Sequence, residues 1–224
     1  TLRPVGNDRS TSLTEKKGLS IQDGSRPSLS YVNQRNIWEK EMQTPIYTER
    51  LIIRPLLIAD LDAVLSITGL PETYSYIPED PMNELAARNM IEHGQNNSTL
   101  NDLPPDIAVL LLETNELVGL LSFNTISSRF HTVEIGWMFH PAHRGKGYAS
   151  EAAHALMDYG FRVLKLHRVI ATCDPHNRPS VRIMEKLGMR LEGRFLESVL
   201  LADSKWHDEC FYAITEKEWF DQTP

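Results

Sequence analysis

The sequence predicts a mixed α/β domain, a sheet of parallel and antiparallel strands covered by helices. Three observations carry this. Ile107 to Leu112 and Leu117 to Phe123 are apolar runs joined by the polar turn Glu113–Glu116, a hairpin signature. Met189–Leu201 and His207–Ile214 repeat that pattern near the end of the chain. Between the two hairpins, the run Thr132–Phe139, the helical stretch Gly147–Val163 and the run Arg168–Cys173 form a β–helix–β crossover.

The elements follow in order. Residues 1–43 are set apart as a flexible N-terminal extension, rich in Ser, Gly, Asp, Arg and Lys up to Ser30 and without periodicity. Within it Tyr31–Met42 has the pattern of a short helix, whose Ile37 and Trp38 suit docking on the domain or on a second subunit. The domain occupies residues 44–224 and opens near Tyr47 with the extended segment around Leu51, Ile53 and Pro55. Ala59–Thr68 follows as a helix with Leu61, Val64, Leu65 and Ile67 as its apolar positions. A loop holding Pro71, Pro78 and Pro81 leads to a second helix near Asn83–His93, the prolines delimiting helices rather than entering them. Residues 96–105 are a polar connection. On the crossover helix, Ala149, Ala152, Ala153, Leu156, Met157, Gly160 and Phe161 mark the buried stripe. A helix around Pro179–Leu187 stops at Gly188. Thr215 and Glu218 form a capping-box pattern for a short last helix carrying Trp219 and Phe220.

Composition narrows the function classes. A formal charge of −7 argues against nonspecific nucleic-acid binding, which needs a basic face. No stretch reaches the roughly 18 apolar residues of a membrane span, and the polar start lacks the apolar core of a secretion signal. Cys173 and Cys210 sit in strand-like apolar runs and read as core residues, so a reducing, cytoplasmic setting is expected. Eight histidines occur without H-E-x-x-H or Cys-x-x-Cys, so no metal is expected; His140 or His176 could relay protons.

The turn Arg144-Gly145-Lys146-Gly147-Tyr148-Ala149 lies between strand and helix. Its glycines let the backbone approach a ligand, and the first N–H groups of the helix lack intrahelical partners, so a diphosphate site is plausible. The dinucleotide fingerprint fails because Ser150 stands at the third glycine and Lys165-Leu166-His167 replaces the downstream acid. A Walker loop fails because Gly145-Lys146 is followed by Gly147 rather than Ser or Thr.

Taken in register, these residues resemble the Gln/Arg-x-x-Gly-x-Gly/Ala loop of the GCN5-related N-acetyltransferase (GNAT) superfamily. The run Asp174-Pro175-His176-Asn177-Arg178-Pro179-Ser180 resembles the Asp-x-x-Asn-x-x-Ser block of its ribosomal-protein N-terminal (RimJ/RimL-like) branch. Glu134-Ile135-Gly136-Trp137, Thr48-Glu49-Arg50-Leu51 and Val181–Met189 extend the likeness over residues 46–220. The resemblance implies a mostly antiparallel sheet of about seven strands. It also implies a V-shaped splay between the fourth and fifth, here Thr132–Phe139 and Arg168–Cys173. Acetyl-CoA would be the co-substrate, its diphosphate gripped by N–H groups from Gly145 to Ala149 with Ser150 joining. Arg144 and Lys146 would add charge at the rim, Trp137, Met138 and Phe139 would line the arm, and Asn177 would hydrogen-bond it. As an ordinary helix start, Asn177 would simply cap.

Acetyl transfer to an amine needs an uncharged nucleophile, a polarised carbonyl and a route for a proton to leave. Glu134, alternating away from Val133 and Ile135, is the candidate base, and Ser180 the candidate acid for the departing thiolate. Tyr74, Tyr76, Trp206 and Asp208 are the expected acceptor wall, with Trp206, His207 and Asp208 in the last hairpin's turn. The expected function is direct transfer of acetyl to a primary amine, either a protein N-terminus or a small cationic amine such as an antibiotic or polyamine, by a monomer or homodimer. A CoA-binding regulatory module without turnover and a cofactor-free interaction domain are the readings of other classes.

Overall fold

The computed structural model describes residues 45–96 and 106–222. The extension over 1–43, its helix over 31–42, residue 44 and residues 97–105 of the polar connection lie outside the described residues. The strands are β1 (Ile46–Tyr47), β2 (Leu51–Pro55), β3 (Asp106–Leu111), β4 (Leu117–Ser127), β5 (Thr132–Phe139), β6 (Arg168–Cys173), β7 (Arg190–Leu200) and β8 (Trp206–Thr215). They form one sheet of eight strands in the order β1-β2-β3-β4-β5-β6-β8-β7. The expected seven become eight because Ile46 and Tyr47 pair antiparallel with Ile53 and Ile52.

All neighbouring pairs are antiparallel except β5–β6, the pair joined by the crossover helix. That exception positions the site. β4 follows β5 from Thr132 to Phe139, whereas the parallel register of β5 with β6 covers only Thr132–Arg168, Val133–Val169 and Glu134–Ile170. From Ile135 onward, β5 has a recorded partner on one side only.

The described helices are α1 (Leu61–Thr68), α2 (Glu84–Asn96), α3 (Tyr148–Arg162), α4 (Arg178–Lys186) and α5 (Glu216–Gln222). Strand alternation divides the core between the two sheet faces. Ile107 and Val109 of β3 join the cluster holding Ala152, Leu156 and Phe161 of α3, Met184 of α4 and Trp219 of α5. Ala108 and Leu110 turn to the opposite cluster, built with Val64 and Ile67 of α1 and Ala87 and Ile91 of α2. Both faces are therefore covered. Asn83 Oδ1 accepts from Ala86 N–H at 2.9 Å, which caps the start of α2. The capping box at α5 also forms: Thr215 N–H donates to Glu218 Oε2 at 2.9 Å. Among the described residues no helix is long and apolar enough to cross a membrane.

Candidate functional site

β5 ends at Phe139, and a single turn of tight helix over Pro141–His143 redirects the chain into the glycine loop. Gly145 has φ +77° and Gly147, the N-cap of α3, has φ +85°. L-residues with a Cβ rarely adopt that left-handed backbone. A Cβ on Gly145 would meet nothing within 4 Å, so its open side faces free space. The backbone N–H groups from Gly145 to Ser150 donate to no described residue, and the first helical bond is Glu151 N–H to the Gly147 carbonyl at 3.1 Å. A row of unspent donors at the positive end of a fifteen-residue helix is suited to a diphosphate.

These donors border a cavity of about 490 Å³. Trp137, Met138 and Phe139 from β5, Arg144, Gly145 and Gly147 to Ser150 from the loop, and Asn177 and Ser180 from the next loop and helix all line it. Lys146 does not. Its carbonyl instead accepts from Arg50 Nη1 at 3.1 Å. Arg144 both borders the cavity and donates through Nε to the Phe139 carbonyl at 3.0 Å, pinning the strand end to the loop.

The loop is held from outside by a strap that sequence reasoning missed. Arg50 pairs with Glu151 at 2.5 Å and lies over the Tyr148 ring, 4.8 Å from its centroid. Thr48 Oγ1 donates to the other Glu151 oxygen at 2.6 Å. Partial burial works to raise the Glu151 pKa, but the bonds from Thr48 and Arg50 outweigh it and leave the carboxyl below its usual range. The signal was present in the Thr48-Glu49-Arg50-Leu51 block, but only the fold brings it to α3.

Asn177 fills the role an ordinary helix start would give it, its Oδ1 accepting from Ser180 N–H at 3.3 Å, while the residue also borders the cavity. Ser180 Oγ accepts from Trp137 Nε1 at 3.2 Å, which fixes the hydroxyl against β5. Behind them Asp174, almost fully buried, accepts from His176 N–H at 2.6 Å, His176 Nδ1 at 2.9 Å and His207 Nδ1 at 2.8 Å. Hydrogen bonding to Asp174, with support from Asp203, holds the His207 pKa above its ordinary 6.5. This Asp174–His207 pair was also unforeseen, because its members are 33 residues apart.

A second cavity of about 380 Å³ adjoins the first, sharing Tyr76 and Ile77 with it. Glu134 lines it and accepts from Thr172 Oγ1 of β6 at 3.1 Å. Its carboxylates are Glu79, Glu134, Asp174, Asp208 and Glu209, with no Lys or Arg among the lining residues. Asp208 accepts from Glu197 N–H at 2.9 Å and from Arg194 Nε at 2.8 Å, so part of its charge is already met. The fold does not bring Tyr74 or Trp206 to either cavity. Tyr74 is buried, and Trp206 is 59% exposed. The turn of the last hairpin falls at 201–205, so Trp206, His207 and Asp208 open β8 rather than occupy the turn.

Cys173 and Cys210 are free and face each other across β6 and β8. Burial pushes the Cys173 thiol up to about 12, so it carries negligible thiolate at neutral pH. Among the described residues no group of three His, Cys, Asp or Glu side chains comes together as a metal site.

Comparison with known proteins accounts for this arrangement. Residues 50–190 match the family described as acetyltransferase (GNAT) domain. The uncharacterized N-acetyltransferase YnaD of Bacillus subtilis is 41% identical over 174 residues, 78% of this chain and 98% of that protein. The crystal structure of a GNAT-family acetyltransferase from Bacillus anthracis superposes with a TM-score of 0.71 at 42% identity, covering 78% of this chain and 99% of the other. The [ribosomal protein uS5]-alanine N-acetyltransferase of Escherichia coli is 32% identical over 108 residues, 48% of this chain and 55% of that protein. The unspent loop donors and the open side of Gly145 fit the diphosphate of acetyl-CoA. The chain belongs to the GNAT acetyltransferase family and is an acetyl-CoA-dependent acyltransferase.

Proposed function

We propose that this enzyme transfers acetyl from acetyl-CoA to the N-terminal amine of a protein or peptide, by direct attack in a ternary complex. One observation carries the reading: two cavities meet at β5, with Ser180 bordering one and Glu134 the other. The amine enters the acidic second cavity as an ammonium, and Glu134, steadied by Thr172, receives its proton. The freed nitrogen attacks the thioester carbonyl, forming the C–N bond as the C–S bond breaks. Ser180, oriented by Trp137, passes a proton to the departing thiolate and is replenished by the second proton that the nitrogen sheds as the amide forms. The pantetheine arm enters where β5 and β6 part, a reading supported by a parallel register that ends at Glu134–Ile170.

The likeness to the uS5-alanine enzyme supports a peptide terminus as acceptor. The five carboxylates of the second cavity favour a second reading, a small polycation such as a polyamine. A turnover screen against peptides with different first residues, polyamines and aminoglycosides separates the two. Peptide turnover with a micromolar-to-millimolar KM is expected. Turnover confined to polyamines would replace the first reading with the second. Saturable CoA binding without thiol release would remove both.

A further inference from the structure

The described chain meets the diphosphate with backbone N–H groups, but acetyl-CoA carries a third phosphate, the monoester on the ribose 3′ oxygen. The structure assigns this phosphate, we propose, to Arg182 and Lys186 of α4. The inference rests on the reading that the 490 Å³ cavity holds the cofactor.

Arg182 and Lys186 are four residues apart, so they share one face of the helix. Both line the same cavity as the loop donors, together with Ile183 between them. Val181 and Met184 anchor the opposite face of α4 in the core, which fixes the direction in which the two cations point. Both cations are exposed, and neither makes an ion pair or hydrogen bond with a described residue. They contrast with Arg50, Arg162, Arg168, Arg190 and Arg194, each of which holds a carboxylate.

Position along the helix selects which part of the ligand they meet. Ser180 and Asn177 stand at the start of α4, beside Trp137, where the thiol end belongs. Lys186 lies six residues further along, about 9 Å at 1.5 Å per residue. With the thiol end at Ser180 and the diphosphate on the loop, the cavity wall further along α4 is left for the nucleotide end. The last turn of a helix offers carbonyls rather than amides, so an anion there has to be met by side-chain cations. A phosphate monoester carries a charge of about −1.5 to −2 at neutral pH, enough for two such partners.

Calorimetric titration of the whole chain with CoA and with 3′-dephospho-CoA tests this, since the second probe keeps the diphosphate and the thiol. The native protein should bind CoA about tenfold more tightly in low salt, with the difference shrinking as salt rises, as expected of two exposed charge contacts. The double variant R182Q/K186Q should bind both probes equally, with dephospho-CoA affinity unchanged from native. Equal affinities in the native protein, or discrimination that survives in the double variant, would overturn the assignment while leaving the cofactor reading intact. Failure of the native protein to bind either probe would instead remove the cofactor reading, and this inference with it.

Discussion

The two cavities that meet at β5 are built in opposite ways. The cavity proposed for the cofactor takes its diphosphate donors from the backbone of one stretch, Gly145 to Ser150, whose shape needs glycine at 145 and 147. The acceptor cavity draws Glu79, Glu134, Thr172, Asp174, Leu201 and Asp208 from separate segments and depends on their side chains. A ligand shared by a whole family can be held by backbone geometry, which depends on residue identity chiefly at the two glycines. An acceptor that distinguishes one enzyme from another must be met by side chains. Changes to the reacting groups and the acceptor side should therefore act on turnover and selectivity, and changes to the glycine loop and its strap on CoA affinity.

The largest expected effect is at Glu134. E134Q should lower kcat about 10²–10⁴-fold near neutral pH while CoA affinity stays within twofold. Steady-state rates against pH, with calorimetric CoA binding, check this. Rates equal to native would remove Glu134 as the proton acceptor. S180A comes next, with kcat down about tenfold and the deficit largest where the thiolate most needs a proton. An unchanged rate across pH would hand that step to water.

The strap tests the other side of the comparison. R50A should weaken CoA binding about threefold to tenfold, because Glu151 and the Lys146 carbonyl lose the guanidinium that holds the loop. The KM for the acceptor should stay put. A rise in acceptor KM with unchanged CoA affinity would break the division of labour between the cavities.

The smallest effect is on stability. His207 has a folded pKa above 6.5, so its pairing with Asp174 contributes fully below pH 6.5 and is lost as pH rises through the raised value. Asp203 faces the same ring at 3.5 Å, while His176 acts on the carboxylate side. Asp174 behaves in the reverse sense. Burial works to raise its pKa, but bonds from His176 and His207 hold it below 3.8, so its contribution is present above that value and fades as pH falls through the lowered one. Thermal midpoints of native protein and H207Q should converge by a few degrees as pH rises above 6.5. Parallel curves would show that the pair carries no pH-dependent stability.

Much of the fold was legible because its signals are local. Apolar runs on either side of a polar turn gave β3 and β4, since strands covered on both faces read as continuous apolar stretches, and the 3.6-residue stripe from Ala152 to Phe161 gave α3. The hairpin boundaries came within a residue, except that β4 runs four residues past Phe123, to Ser127. The last turn was misplaced because Trp206, His207 and Asp208 have no strand-like alternation of their own. Their pairing with β7, through Leu200–Trp206 and Val199–His207, makes them strand. The short β1 was missed for the same reason, since two residues carry no period.

What the sequence determined by itself was the order of elements, the two-sided core and the glycine loop, since each depends on the conformational freedom or periodicity of adjacent residues. Only tertiary structure decided that Arg50 would reach Glu151, that Asp174 would meet His207, that α4 would present Arg182 and Lys186 to the cofactor cavity, and that Tyr74 would turn into the core. Those outcomes depend on contacts between residues distant along the chain, whose geometry is set by how helices settle on the sheet, and no local pattern records it.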